Sequence, residues 1–255
     1  MAPLLERRPL GLISDIDGTL APIVPDPEDA RVAESTLVLL RQLTEKGVRL
    51  AFITGRTLEK ARSMAGVEGA AFAANHGLNI WVDGALETPD GLGEYVPRAQ
   101  DVLREIGTLD VAGVSVEDKG PVLAFHYRKA LSEAAARQAI LAAIQASQTA
   151  RAFRLQEGRK VIEVRPPLLI DKGTALAYLA RRLGLAAVIC MGDDATDIDM
   201  FRGVRELRAA GLAGVSIAVA SAEASPGVLA GADYWLPGVA GVEWLLGGLL
   251  KALPG

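Results

Sequence analysis

Hydrophobic and polar positions along this chain follow two periods, and the dominant period changes twice. From residue 9 the apolar run "PLGLISDID" predicts a strand, and residues 32 to 46 carry Val32, Leu39, Leu40 and Leu43 at helical spacing. "VRLAFITG" predicts a second strand and "GAAFAAN" a third, while "LNIWVDG" reads as an extended piece closing on a turn at Asp83-Gly84. Strands alternating with helices in this way are the signature of parallel βαβ units.

In the middle of the chain the rhythm differs. Residues 93 to 107 place Val96, Ala99, Val102, Leu103 and Ile106 on one helical face, and "VSVEDKG" and "VLAFHYR" form a hairpin around Gly120-Pro121. A second helix, 132 to 147, turns Ala136, Ala139, Ile140, Ala143 and Ile144 inward, and a second hairpin joins "AFRLQ" to "KVIEVRP" around Gly158. After Pro166-Pro167 the first rhythm returns. A helix over 173 to 183, the strand "AAVICMG", a helix over 196 to 210, the strand "VSIAVA", a helix near 226 to 231, the strand "DYWLP" and a last helix from Val242 follow in turn. The expected fold is α/β: a doubly wound, mostly parallel sheet built from residues 1 to 90 and 168 to 255. Residues 91 to 167 are inserted as an α+β domain of αββαββ order.

Composition narrows the class. The 255 residues are 50% hydrophobic and 23% charged with a net charge of −4, and no block of lysine or arginine offers a surface for nucleic acid. The one cysteine, Cys190, cannot form an intrachain disulfide and lies in the apolar run "AAVIC", as a buried small hydrophobe would. The N-terminal stretch carries charges where a signal peptide is apolar, and the C-terminal "GVEWLLGGLLKALPG" is too short and interrupted to span a bilayer. The expectation is a cytoplasmic protein without membrane or nucleic-acid partners. No uncommitted apolar helix face stands out, so the sequence is compatible with a monomer and leaves the oligomeric state open.

In an open parallel sheet, ligands sit beyond the carboxyl ends of the strands, where helix N-termini also point. Four features fall at that edge. Asp15 and Asp17 are two apart and project to one side of an extended chain, with Gly18 letting the backbone turn close to a ligand. Thr54 ends the second strand in "ITGR", Lys172 opens a helix in "DKGTAL", and "GDDATDID" sets Asp193, Asp194, Asp197 and Asp199 within seven residues. Singly, each has a structural explanation as a turn, a helix cap or a dipole partner. Together they have another. A lysine in the first turn opposes the helix dipole and calls for an anion, whereas converging carboxylates call for a hard cation such as Mg²⁺. Both belong to phosphate chemistry.

The set "DIDGTL", "ITGR", "DKG" and "GDDATD", interrupted by an insert, resembles the capped haloacid dehalogenase superfamily of phosphohydrolases. Within it, "DGTLAPI", "VEDKGPVLAFHYR", "KVIEVRP", "DKGTAL" and "GDDATDIDMF" look like the trehalose-6-phosphate phosphatases. The resemblance implies Asp15 as a nucleophile forming an aspartyl-phosphate, and Asp17 as acid and then base. It further implies Thr54, Gly55 and Lys172 as holders of the phosphoryl oxygens. Mg²⁺ would be bound by Asp15, the Asp17 backbone carbonyl and Asp193, supported by Asp194 and Asp197.

Within the insert, period two gives Ser115, Glu117 and Lys119 one face and Val114 and Val116 the other; His126 with Arg128, Glu163 with Arg165, and Arg154 with Gln156 pair likewise. A solvated sheet would show such a polar face, and so would one that binds a hydroxyl-rich sugar. The resemblance makes Glu117, Lys119 and Glu163 the sugar-gripping residues; apart from it, His126 on the polar face and His76 after the third strand are further candidate substrate contacts, and Arg56 and Arg128 weaker ones. Asn75 stands where relatives more often carry an acid. Two rivals remain open: a capped phosphatase for another sugar phosphate or a mannosyl- or glucosyl-phosphoglycerate, and a non-catalytic sugar-phosphate sensor. A phosphotransferase passing the group to a second sugar is not separated by residues alone.

Overall fold

The computed structural model describes residues 2–158, 160–220 and 226–253. In chain order the elements are α1 (Ala2–Leu5), β1 (Leu10–Ser14), α2 (Glu34–Glu45), β2 (Arg49–Ile53), α3 (Leu58–Ala65), β3 (Ala71–Ala74), β4 (Asn79–Val82) and β5 (Ala85–Glu87). There follow α4 (Tyr95–Ile106), β6 (Ser115–Asp118), β7 (Leu123–His126), α5 (Glu133–Ala146), β8 (Arg154–Gly158) and β9 (Val161–Arg165). The chain then forms α6 (Lys172–Arg182), β10 (Ala187–Gly192), α7 (Asp197–Ala209), β11 (Ala213–Ala220), α8 (Pro226–Gly231), β12 (Tyr234–Pro237) and α9 (Gly238–Ala252). Residues up to Glu87 and from Ile170 onward make one compact unit, and Thr88–Leu169 makes a second.

The first unit is an eight-stranded sheet of order β12-β11-β10-β1-β2-β3-β4-β5. All its pairs from β12 to β3 are parallel, and β4 and β5 are antiparallel. Burial on both faces explains the continuous apolar runs. Leu10 and Leu12 of β1 face the layer holding Leu40, Leu43, Leu246 and Leu249, whereas Ile13 faces Leu176, Leu179, Phe201 and Val204. Each such side chain contributes about 1.5–3 kcal/mol by its burial. β1 has β10 on one side and β2 on the other, so the strand order reverses there, the place in such sheets where ligands bind beyond the carboxyl ends of the strands.

The second unit is a four-stranded antiparallel sheet of order β6-β7-β9-β8. Leu123, Phe125, Ile162 and Val164 of the inner strands pack with Ala99 and Val102 of α4 and with Ala136, Ile140 and Ile144 of α5.

Several local expectations need correction. Val96 is 40% exposed, because the apolar stripe of α4 begins at Tyr95, whose ring meets Phe153 edge-on at 5.3 Å. Val116 is 41% exposed: β6 is an edge strand, and the helices cover the inner strands. Val32 is buried but precedes α2, where Thr36 takes an inward position. The turn at Asp83 (φ 51°) and Gly84 (φ 79°) closes a true hairpin, adding β5, which at three residues is too short to show in the pattern. α9 starts at Gly238 rather than Val242.

Candidate active site

Asp15 lies one residue past the end of β1, and its amide donates to the Met191 carbonyl of β10 at 3.0 Å. The next turn is tight: the Gly18 amide donates to the Ala21 carbonyl at 2.7 Å, and Gly18 has φ 79°. A Cβ there would stand 2.0 Å from Asp193 Oδ2, so only glycine lets the Asp193 carboxylate rest on this backbone. Gly18→Ala is therefore expected to lose roughly 1–2 kcal/mol from its left-handed backbone alone and to displace Asp193. The check is thermal denaturation with and without an added divalent cation, where any increase in Tm given by the ion should be smaller than in the parent protein.

Lys172 is the first residue of α6, whose N-cap Asp171 forms a capping box with Thr174. Its stem is buried, and Nζ lies 3.0 Å from Asp15 Oδ1 and donates to Asp197 Oδ1 at 2.7 Å. Asp197 Oδ2 accepts from the amides of Asp193 and Asp194, both at 2.9 Å. Both oxygens of Asp197 are thus engaged in shaping the loop after β10. The four acids of this loop separate in three dimensions: Asp193 and Asp197 are buried, Asp194 accepts from the Ala195 amide at 2.6 Å, and Asp199 pairs with Arg202 at 3.3 Å.

Asp15, Asp193 and Asp197 each offer an oxygen within 4.8 Å of the others, and all three are buried. Burial pushes the Asp15 carboxyl well above its ordinary pKa, and Asp197, Asp193 and Asp17 push the same way, against Lys172. Burial also works against the charge of Lys172, but Asp15 and Asp197 outweigh it and raise its pKa above the usual lysine value. The cluster carries more negative charge than one lysine neutralises. An all-oxygen donor set of this kind fits a hard divalent cation.

Thr54, buried at the end of β2, accepts from the Arg56 amide at 3.2 Å through its hydroxyl oxygen, which keeps its own proton to donate. The loop after β3 braces this segment. Asn75 (φ 49°) and His76 (φ 56°) are consecutive left-handed residues; the His76 amide donates to the Thr54 carbonyl at 2.8 Å and the Asn75 amide to the Arg56 carbonyl at 2.9 Å. A Cβ on Gly55 would lie 2.6 Å from His76 Nε2, so the imidazole rests against Gly55. The Asn75 side chain donates to Asn79 Oδ1 at 2.8 Å. Arg56 turns to Asp17: Nε donates to Oδ2 and Nη2 to Oδ1, each at 2.7 Å. Nothing in the spacing of "DID" and "ITGR" shows that pairing, because it depends on the turn after β1.

In the second unit, the register sets Glu117 opposite Ala124, Ala124 opposite Glu163, and Glu163 opposite Gln156, so these share one face. That face carries a chain of polar contacts. Lys119 Nζ donates to Glu163 Oε1 at 2.9 Å and lies 4.0 Å from Glu117, and His126 Nε2 is 3.0 Å from Glu117 Oε2. Arg165, 1% exposed, donates to Gln156 Oε1 at 2.8 Å and lies 3.7 Å from Glu163. Arg165 and Gln156 were not among the expected site residues, although period two already set Arg165 on the face of Glu163. Arg128, two residues past β7, takes no part in these contacts. Arg165, Glu163, Lys119 and Glu117 alternate in charge, so the line is nearly neutral as a whole.

Residues 13–229 match the model of the trehalose-phosphatase family. A trehalose-phosphate phosphatase of Mycobacterium avium is 38% identical over 202 residues, covering 75% of this chain and 50% of that protein. A probable trehalose-phosphate phosphatase of Oryza sativa subsp. japonica is 31% identical over 214 residues, covering 76% of this chain and 55% of its own. An uncharacterized glycosyl hydrolase of Mycobacterium tuberculosis is 37% identical over 217 residues, 79% of this chain but 16% of that protein. The chain thus spans about half the length of the two phosphatases and about a sixth of the third protein. Among solved structures, the C-terminal domain of a C. albicans trehalose-6-phosphate phosphatase superposes with a TM-score of 0.76 at 23% identity, covering 98% of this chain and 96% of that one. A haloacid dehalogenase-like hydrolase of Bacteroides thetaiotaomicron superposes at 0.66 with 16% identity, covering 94% and 98%. The fold is accordingly haloacid dehalogenase-like, with the second unit as its cap. Among the described residues no helix is long and apolar enough to cross a membrane.

Proposed function

The chain belongs to the trehalose-phosphatase family, and from that premise we propose that it hydrolyses trehalose 6-phosphate to trehalose and phosphate. The observation that carries the reading is Lys172 Nζ, 3.0 Å from the buried carboxylate of Asp15 and beside Asp193 and Asp197. A carboxylate, an anion-holding cation and a second buried acid for a metal, Asp193, converge beyond the end of β1.

In this reading the Asp15 carboxylate attacks phosphorus, forming an aspartyl-phosphate as the bond from phosphorus to the sugar oxygen breaks. Asp17 gives its proton to that oxygen, then takes one from the water that attacks the aspartyl-phosphate and restores Asp15. The Thr54 hydroxyl, the Gly55 backbone and Lys172 hold the phosphoryl oxygens. Asp15, the Asp17 carbonyl and Asp193 would hold Mg²⁺, with Asp197 and Asp194 orienting their loop. When bound, Mg²⁺ supplies the positive charge that lets a carboxylate and a phosphate dianion approach.

The polar face of the cap sheet is assigned to the sugar. Its closely spaced charges of both signs offer donors and acceptors to hydroxyl groups, as a hydroxyl-rich sugar requires. Phosphate release across trehalose 6-phosphate, glucose 6-phosphate, sucrose 6-phosphate and mannosyl-phosphoglycerate, with Mg²⁺ or chelator, tests the assignment. A metal-dependent preference for trehalose 6-phosphate is expected, and turnover centred on another substrate refutes it. Glu163→Gln is expected to lower kcat/KM for trehalose 6-phosphate by a factor of about 10²–10³, the cost of one buried, charge-assisted partner set. Turnover of p-nitrophenyl phosphate should change by less than about threefold, and equal losses on both would remove the cap face from substrate recognition.

A further inference from the structure

Arg56 stands at the centre of a set of contacts larger than a surface ion pair would need. Its guanidinium makes two parallel bonds to the two oxygens of Asp17, each 2.7 Å, and Nη2 also donates to the Pro27 carbonyl at 2.8 Å. Its backbone is fixed as well, with the amide on the Thr54 hydroxyl and the carbonyl accepting from Asn75. The turn that receives Nη2 is itself secured. Asp26 accepts from the Glu28 amide at 3.2 Å, and Lys60 Nζ, on the helix after Arg56, donates to Glu28 Oε1 at 2.6 Å. The Arg56 side chain is 13% exposed and that of Asp17 29%. Arg56 thus spans three loops and ends on one carboxylate.

We propose that Arg56 is the positioning residue for Asp17, aiming its carboxylate by a two-bond clamp rather than gripping the phosphoryl group itself. The inference rests on the reading above, in which Asp17 transfers protons. A planar guanidinium matches a carboxylate at both oxygens and fixes its direction, whereas an ammonium supplies a point charge and leaves the carboxylate free to rotate. Asp17 leads into the turn over residues 18–21, whose bridge to Ala21 fixes its backbone, and the two bonds from Arg56 then fix the direction of its carboxylate.

The prediction is specific to the leaving group. A sugar alkoxide is a poor leaving group and needs a well-aimed acid, whereas p-nitrophenolate departs without one. In Arg56→Ala and Arg56→Lys, single-turnover phosphoryl transfer from trehalose 6-phosphate with Mg²⁺ should slow about 10²-fold with little change in KM, the cost of a misplaced acid. The rapid burst of p-nitrophenol from p-nitrophenyl phosphate should stay within about threefold of the parent rate, which also shows that each variant is folded and takes the phosphoryl group normally. Equal slowing of both substrates with a raised KM would mean that Arg56 holds the phosphate and would overturn the proposal. Full recovery of trehalose 6-phosphate transfer in Arg56→Lys would overturn it too, since charge without the fork would then suffice. If the parent protein shows the p-nitrophenol burst but no turnover of trehalose 6-phosphate, the substrate assignment falls alone. The comparison is then made on glucose 6-phosphate, also an alkyl ester, with the same expected and overturning results.

Discussion

Replacing Asp15 with asparagine is expected to abolish the proposed phosphate release from trehalose 6-phosphate, by a factor on the order of 10⁴–10⁶, the scale on which loss of a covalent nucleophile is felt. Asparagine keeps the shape and the place beside Lys172 but cannot form the aspartyl-phosphate. Loss of fold does not account for the effect, because without a divalent cation the variant is expected to be at least as stable as the parent. Burial first, and then Asp197, Asp193 and Asp17, raise the pKa of Asp15 in the folded protein. A carboxyl that binds its proton more tightly when folded contributes stability that is fully present below its unfolded pKa and is lost as pH rises through the folded one. Cation-free parent protein should therefore lose stability as pH rises above the ordinary carboxylate range, and Asp15→Asn should flatten that limb. Thermal denaturation against pH in chelator, alongside a phosphate-release assay, reads both halves. Residual turnover within about tenfold of the parent would deny Asp15 the role of nucleophile.

The second large effect is expected at Lys172. Its Nζ is the counter-charge to two buried carboxylates, at 3.0 Å from Asp15 and 2.7 Å from Asp197. Removing one partner of a buried ion pair leaves the other charged and desolvated, at a cost of about 3–5 kcal/mol. For a chain of this size that lowers Tm by roughly 6–20 °C. Lys172→Met should show this fall in chelator and regain part of it with Mg²⁺, because the cation replaces some of the missing positive charge. Activity should remain depressed by about 10²–10³-fold, the usual loss on removing one preorganised charge that holds a transferring phosphoryl group. Adding Asp15→Asn to Lys172→Met should restore part of the stability, since the double variant no longer buries the Asp15 charge while Asp197 still lacks its lysine. Effects of the two changes that simply add would show that the two side chains are not energetically coupled.

Much of the fold was legible before any coordinates. The strand runs "GLIS" and "AVICM" are buried on both faces, as the parallel segments of a covered sheet must be, and so appear as unbroken apolar stretches. The polar face of the cap was legible too, because period two assigns faces without knowledge of the partners, and antiparallel register then carries Glu117, Glu163 and Gln156 to one side. Edges were not legible. Whether Val116 is covered depends on where its strand lies in the order β6-β7-β9-β8, and four residues of sequence hold no such information.

For the candidate site, local sequence determined which chemistry-bearing residues stand at strand ends. Asp15 follows β1, Thr54 follows β2, Asp193 follows β10 and Lys172 opens α6, because strand and helix boundaries are set by short-range pattern and capping. Only the tertiary structure decided which of them meet. It turned Asp197 inward onto Lys172 and left Asp199 beside Arg202, although both acids sit in one run of four. It also gave Arg56 to Asp17 across 39 positions of sequence. The physical reason is the same in each case. A charged side chain takes its partner from whatever the packing of distant segments leaves within about 3 Å, and local pattern does not encode that packing.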